Sequence, residues 1–476
     1  MVMPKVYGAS VAKWILLCGW FVLFVGGIIH YPGSWLAYAV FSGAFLAMLI
    51  SGFYRQVTYG YLFLVAMLWL GFWFKLTIHL WVEYPFGESI GLFDKSASAW
   101  DKVLHVATAG CLGVMAGRLL YMLVFGQASS MSTTKDRVDS LVPEWYPSTR
   151  RWVWGALAAF CIGLAFINTN LGILQIGLVP KTYLVWPLNA VICWLIGYGL
   201  ALAVATVLWW DISLGRNVSL VVYFVLLEAF SSTVSMLSRG GYIFHVIPQF
   251  FALYKNRNLI SGWSHRNILA VCLAFIVLFA LSNPLVNTLR NFYYSGVPFS
   301  GALATSGALA RFAVDRWVGA EGVMAVSAYP SKGIDLLING IIERREIGKD
   351  TLYISISRPV YFGVVDKSKF QFSEIPGAIA FLYFSGQLWI VALGMLLFVQ
   401  VVLISELLVS KFTQNPLLSA LWGGAAANAI AQMGIAPRGT LLYFFEMICG
   451  IAVICFIQSR YFSKVIKRFG DLKNRS

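Results

Sequence analysis

Apolar residues run along this chain in long blocks separated by short charged or Pro/Gly-rich breaks. The blocks fall near 11–29, 34–53, 57–82, 101–124, 152–168, 183–209, 217–237, 241–254, 267–286, 376–404, 416–433 and 439–459. A run of about 18 or more residues with few charges reads as a helix across roughly 30 Å of hydrocarbon, because only a helix satisfies its own backbone polar groups there. The pattern therefore predicts an all-α polytopic membrane protein with about twelve transmembrane helices, of which 241–254 is short for a full crossing. Between 287 and 375 the apolar blocks give way to a mixed stretch with ten basic and eight acidic residues. That stretch is expected to form a large external subdomain with short helices. The resulting organisation is a bundle of about nine spans over 1–286, the external loop over 287–375, and about three spans with a basic tail over 376–476. Neither an internal repeat nor a low-complexity tract is visible, which speaks against a duplicated transporter.

Composition narrows the class. The 476 residues are 59% hydrophobic, 16% aromatic and only 12% charged, with a mean hydropathy of +0.76, which excludes a soluble enzyme. The net charge of +15 does not indicate nucleic acid, since the basic residues are scattered through short loops instead of lining one element. The membrane surface and anionic substrates are the expected partners. The first block has a basic start but no small-residue cleavage site after it, so it reads as a span and not as a signal peptide. All seven cysteines lie inside apolar blocks without CxxC spacing and read as core packing residues, neither disulfides nor metal ligands.

Lys and Arg in short loops stay on the cytoplasmic side. With the N-terminus inside, Arg55, the stretch from Lys135 to Arg151, Arg216, the group Lys255, Arg257 and Arg266, Lys411 and the C-terminal tail all face the cytoplasm. Both termini are then inside. Against that background Arg239, Arg438 and the basic residues of 287–375 stand out, because they remain on the outer side.

Ser238-Arg239-Gly240-Gly241-Tyr242 lies where one span turns into the next. Glycines permit a tight turn, the following helix points its positive end at it, and a guanidinium adds a fork of donors suited to phosphate. The structural alternative is an Arg snorkelling to lipid headgroups. Pro437-Arg438-Gly439-Thr440 repeats the pattern before the last span, so Arg239 and Arg438 could converge on one anion. In the loop, Arg311 and Asp315 are four apart and fit a surface ion pair. Arg316 and Glu321 are a cation for a leaving phosphate and a carboxylate base, the two groups that displacement at a sugar carbon needs. Glu228 and Glu446 lie well inside spans, where an acid is costly and faces an interior partner; a structural contact is favoured over proton chemistry for each. Lys75, His79 and Glu83 share one face of the third span, with Lys75 expected to snorkel outward. His105 and His245 read as hydrogen-bonded structure. ATP, nicotinamide and zinc motifs are absent, so neither cofactor nor metal is expected.

The arrangement of many spans, one large external loop in the C-terminal half, the SRGG turn before it and Pro376-Gly377-Ala-Ile-Ala-Phe-Leu-Tyr-Phe-Ser-Gly386 after it resembles bacterial O-antigen polymerases of the Wzy type. Asn170-Leu-Gly-Ile-Leu-Gln175-Ile-Gly-Leu-Val-Pro180 followed by Trp186-Pro-Leu-Asn189 is similar to the same polysaccharide repeat-unit polymerases. The resemblance implies a membrane glycosyltransferase on the periplasmic face of the bacterial inner membrane. It would transfer a growing glycan from undecaprenyl diphosphate to an incoming lipid-linked oligosaccharide repeat, with no nucleotide needed. On this reading Arg239, through SRGG, and Arg438 and Arg311 bind the diphosphate, Arg316 and Glu321 serve catalysis, and a chain-length regulator is an expected partner. An O-antigen ligase runs the same displacement onto a different acceptor. A polysaccharide or lipid-linked sugar exporter is the alternative of another class, but it predicts similar halves and short loops on both sides.

Overall fold

The computed structural model describes residues 5–54, 57–126, 142–260, 264–294, 314–344, 346–372, 374–433 and 437–459. The described residues are 75% helical with almost no sheet. It is an all-α, multi-pass membrane protein: eight of the described helices are long and apolar enough to cross a bilayer.

In chain order the first half comprises α1 (Lys5–His30), α2 (Trp35–Phe53), α3 (Tyr59–Val82), α4 (Ala97–Phe125), α5 (Tyr146–Leu171), α6 (Leu188–Ser213), α7 (Tyr223–Ser235), α8 (Arg239–Lys255) and α9 (His265–Tyr293). The segment after α9 carries α10 (Ala320–Ala328), α11 (Ile334–Ile342) and α12 (Leu352–Ser357). Then follow α13 (Ala378–Leu382), α14 (Leu388–Thr413), α15 (Pro416–Ala431) and α16 (Pro437–Gln458). The only sheet among the described residues is a two-residue antiparallel pair, Gly177–Leu178 with Phe370–Gln371.

Each apolar block contains a helix, but three of these helices are short for a full crossing. α7 has 13 residues, α8 has 17 and α15 has 16, or about 20, 26 and 24 Å at 1.5 Å per residue. The block at 217–237 starts its helix only at Tyr223, after turns through Val218 to Val222. The block at 376–404 is also divided. Residues 378–385 form a short buried helix and turn, Gly386 takes a left-handed backbone (φ 72°), and the long helix begins at Leu388.

Two cores hold the molecule. One is built from α1–α4, α14 and the short helices between α9 and α14, so Val323, Met324, Val326 and Leu337 are buried with Phe41, Phe45 and Trp73. The other gathers α5–α9 with α16. α15 joins them: Leu417, Leu418 and Leu421 belong to the second core, Ala426, Ala427 and Ile430 to the first. Its small residues allow close approach, since Gly423 lies against Gly60 of α3 and Gly424 against Pro248 of α8. Asn415 caps it by accepting from the Leu417 and Leu418 amides. Large apolar side chains of α9, such as Leu269, Ile276 and Leu281, are exposed, as hydrocarbon contact requires.

Several ionisable groups inside the bundle find partners among the described residues. Asp211 accepts from Arg150 Nε (2.7 Å) and Nη2 (2.8 Å), the Tyr146 hydroxyl (2.9 Å) and Trp154 Nε1 (3.0 Å). Glu406 accepts from the Tyr59 and Gly60 amides that open α3, a carboxylate at a helix N-terminus. Glu228, an acid flagged by sequence, meets His245 at 3.1 Å. His245 Nε2 lies 2.9 Å from the Gly197 carbonyl, which can only accept, so that ring nitrogen donates. Gly197 belongs to a π turn in α6, Leu195–Gly199, whose widened ladder releases carbonyls for such bonds. The cysteines depart from expectation: Cys18, Cys272 and Cys449 are exposed on span faces, while Cys111 and Cys161 are buried. Thiols are soft, weakly polar groups that tolerate either an apolar core or a lipid-facing surface.

Candidate functional site

The turn between α7 and α8 is tied down on several sides. Ser238 N–H donates to the Thr233 carbonyl (3.0 Å) and Ile176 N–H to the Met236 carbonyl (2.8 Å). Asn168 Nδ2 donates to Ser235 O (2.9 Å). Leu237 is held left-handed (φ 56°), which costs energy for a branched side chain and needs surrounding support. That support includes Arg290 from the end of α9, whose Nε and Nη2 both donate to the Leu237 carbonyl at 2.9 and 2.6 Å.

Arg239 is the first residue of α8, after Ser238 in an extended N-cap conformation. Arg316 reaches the same turn from the segment between α9 and α10. Its guanidinium packs so closely on Gly240 that a Cβ there would collide with it. The absence of a side chain at 240 thus admits a cation from 76 positions away, a contact that the SRGG pattern alone does not reveal. Arg290 and Arg316 thus lie beside the turn at which Arg239 opens α8. A helix N-terminus with adjoining guanidinium groups is suited to a phosphate.

The segment 315–322 that delivers Arg316 is clamped by α3. Lys75 is fully buried and forms an ion pair with Glu321, itself 2% exposed. Its ammonium also donates to the carbonyls of Asp315 (3.2 Å) and Trp317 (3.0 Å). Lys75 therefore does not snorkel: three acceptors from one segment replace its water. One turn further along α3, His79 Nε2 meets Asp315 Oδ1 at 2.7 Å and Nδ1 meets the Tyr84 carbonyl at 3.0 Å. Asp315 is accordingly paired with His79; Arg311, which the four-residue spacing offered as its partner, lies outside the described residues. Backbone docks on backbone here as well. A Cβ on Gly71, within the π turn Leu70–Phe74 of α3, would strike the Val318 carbonyl; one on Gly319 would strike Gly71, and one on Gly322 the Pro376 carbonyl.

The predicted site residues thus divide. Arg316 joins the Arg239 turn. Glu321 is turned inward onto Lys75, where its carboxylate holds the segment and presents no lone pair to solvent. Arg438 is exposed in the first turn of α16 and makes none of these contacts. Glu446 is half-buried in α16.

Beside the clamp lies a cleft of about 740 Å³ between the end of α3, the loop to α4 and the end of α12. Tyr84, Phe86 and Trp100 supply aromatic surface; His79, Glu88 and Arg358 are among its polar lining. Glu88 is exposed in the cleft, with protein packed behind it. That crowding, then the negative charges of Glu374 and Glu321, pushes its carboxyl up to about 7, while Lys75 opposes them; water in the cleft works against the crowding contribution. Burial also raises the Glu374 carboxyl, which accepts from the Ser89 amide at 3.4 Å. Sequence reasoning missed Glu88. The available signal was a short Pro/Gly-containing loop, Tyr84-Pro-Phe-Gly-Glu-Ser-Ile-Gly, directly after the Lys75/His79 face.

Comparison with known proteins adds no relative: no family model, no curated protein and no solved structure matches this chain.

Proposed function

We propose that this protein is a polysaccharide polymerase of the bacterial inner membrane. It would transfer a growing glycan from undecaprenyl diphosphate to a lipid-linked oligosaccharide repeat on the periplasmic face. The observation that carries the reading is the approach of Arg290 and Arg316 to the turn where Arg239 opens α8. Twelve crossings with both termini cytoplasmic, as the basic loops suggest, put that turn and the 287–375 segment outside. The short α7 and α8 then set the turn below the membrane surface, within reach of a diphosphate at headgroup depth.

In this reaction the bond from the anomeric carbon to the diphosphate oxygen breaks, and the electron pair stays on the diphosphate. Guanidinium groups fixed in advance stabilise that charge without reorganising. Arg239 and Arg316 take this role, and Arg290 holds the turn on which they depend. The Lys75–Glu321 pair fixes the segment carrying Arg316. No cofactor is required; a chain-length regulator would act from outside. Arg438 is assigned to lipid headgroups.

The test is a gel of surface polysaccharide from a strain lacking the protein, complemented with wild type, Arg239→Ala or Arg316→Ala at matched membrane abundance. A ladder reduced to single repeats in the deletion and in both variants is the expected result. An unchanged ladder in the deletion overturns the reading, and loss of all repeats points to a ligase or an exporter.

A further inference from the structure

Residues 315 and 316 are adjacent, yet they serve different places. Asp315 backs the cleft through His79, and Arg316 covers Gly240 at the arginine turn. Neighbouring Cα atoms are 3.8 Å apart, so the cleft and the arginine turn lie on two sides of one short strand of chain.

The cleft differs chemically from the arginine turn. Glu83 and Glu88 are matched by Lys95 and Arg358, so it carries no excess of either charge and does not select an anion. Tyr84, Phe86 and Trp100 offer apolar faces beside these hydrogen-bonding groups. About 740 Å³ falls in the size class of ligand sites, roughly 300–1,000 Å³. An uncharged, polyhydroxylated ring with an apolar C–H face fits this combination. A lipid tail or a free phosphate does not.

Among the acids around the cleft, Glu321 is held by Lys75 and Asp315 by His79. Glu374 is buried and accepts from the Ser89 amide. Glu88 is exposed in the cleft, and among the described residues no hydrogen bond or ion pair engages its carboxylate. Among the described residues these acids do not gather as a metal-ligand set.

We infer that the cleft beside His79 and Trp100 binds the sugar end of the acceptor, and that Glu88 takes the proton from its attacking hydroxyl. This rests on the polymerase reading. As the acceptor oxygen bonds to the anomeric carbon, its proton passes to a Glu88 carboxylate oxygen and the carbon–oxygen bond to the diphosphate breaks. The products are the lengthened glycan and free undecaprenyl diphosphate, and Glu88 returns its proton to water. A base whose carboxyl is pushed up to about 7 suits this task, because proton transfer is most effective near the working pH. The charged groups around it are Glu374, Glu321, Asp315 and Lys75 from behind. Glu83, Lys95 and Arg358 face it from the rim, with His30 and His79 on the wall.

The experiment uses purified full-length protein in nanodiscs and lipid-linked oligosaccharide extracted from the deletion strain. Glu88→Gln is expected to slow chain extension by about 100-fold or more, the usual scale for a general base, with Glu88→Asp between it and wild type. The wild-type rate should rise with pH through about 7 and then level off. Wild-type extension by Glu88→Gln, or a flat pH profile, overturns the inference while leaving the polymerase reading intact. A deletion strain with an unchanged ladder removes both. If Glu88→Gln does not accumulate, the wild-type pH profile and Glu88→Asp decide.

Discussion

Replacing Lys75 with Met tests the clamp directly. The substitution keeps most of the volume but leaves Glu321, 2% exposed, as a buried carboxylate without its counter-ion. Removing one partner of a buried pair costs about 3–5 kcal/mol, most of it the uncompensated charge. The carbonyls of Asp315 and Trp317 also lose their donor. The companion variant Lys75→Met with Glu321→Leu removes the charge problem and should recover most of the loss. It should not recover everything, because two buried carbonyls left short of a donor still cost about 1–3 kcal/mol. The assay is the temperature at which half of the detergent-solubilised protein leaves the monomer peak on size exclusion. The single variant is expected to fall by on the order of 5 °C, scaling down from the 2–4 °C per kcal/mol of smaller domains. A single variant as stable as wild type, or a double variant no better than the single, would refute the account of Lys75 as a buried counter-ion.

Gly71→Ala should prevent the 315–322 segment from docking on α3, because the new Cβ meets the Val318 carbonyl; limited proteolysis should cut this segment faster than in wild type. Gly240→Ala pushes the Arg316 guanidinium off the turn, and the loss of one such group from a charge-stabilising site is worth about 10²–10³ in rate, read as chain extension at unchanged membrane abundance. Glu88 should also mark the pH dependence of stability. Its folded carboxyl is raised from 4.5 to about 7, so the folded state holds the proton longer than the unfolded chain and stability falls as pH rises through that interval. Glu88→Gln should therefore gain thermal stability relative to wild type on going from pH 5 to pH 8; an unchanged difference between the two proteins refutes this.

The helical, membrane-spanning character was legible because backbone polar groups in hydrocarbon leave few alternatives, and the apolar blocks therefore located each helix. Lengths were less legible. Nothing in the apolar run at 217–237 distinguishes turns at 218–222 from helix, and the break at Gly386 is marked only by Ser385-Gly386-Gln387 between two apolar stretches. Arg239 and Arg316 stand out in the sequence as basic residues, whereas the approach of Arg316 to the turn that Arg239 opens does not, since it depends on a glycine in one segment and a guanidinium in another. Lys75 was misread for a related reason. A lysine near a span end has water within reach unless another segment covers it, and here the carbonyls of Asp315 and Trp317 come from a segment some 240 positions away. Glu88 escaped notice because its surroundings are assembled from four separate stretches of chain.

The π turn in α3 gives the site an unusual genetic vulnerability. A residue in an α-helix advances the chain by about 100° of rotation, given 3.6 residues per turn, so the extra residue accommodated within Leu70–Phe74 sets the direction faced by everything after it. Lys75 and His79 reach Glu321 and Asp315 from that orientation. An in-frame deletion of any one codon between 70 and 74 would leave every charged residue of the site in the gene and yet swing both side chains by about a quarter turn away from their partners. The constellation is thus encoded by a count as much as by identities, and single-residue length changes in this stretch should be tolerated less well than most substitutions.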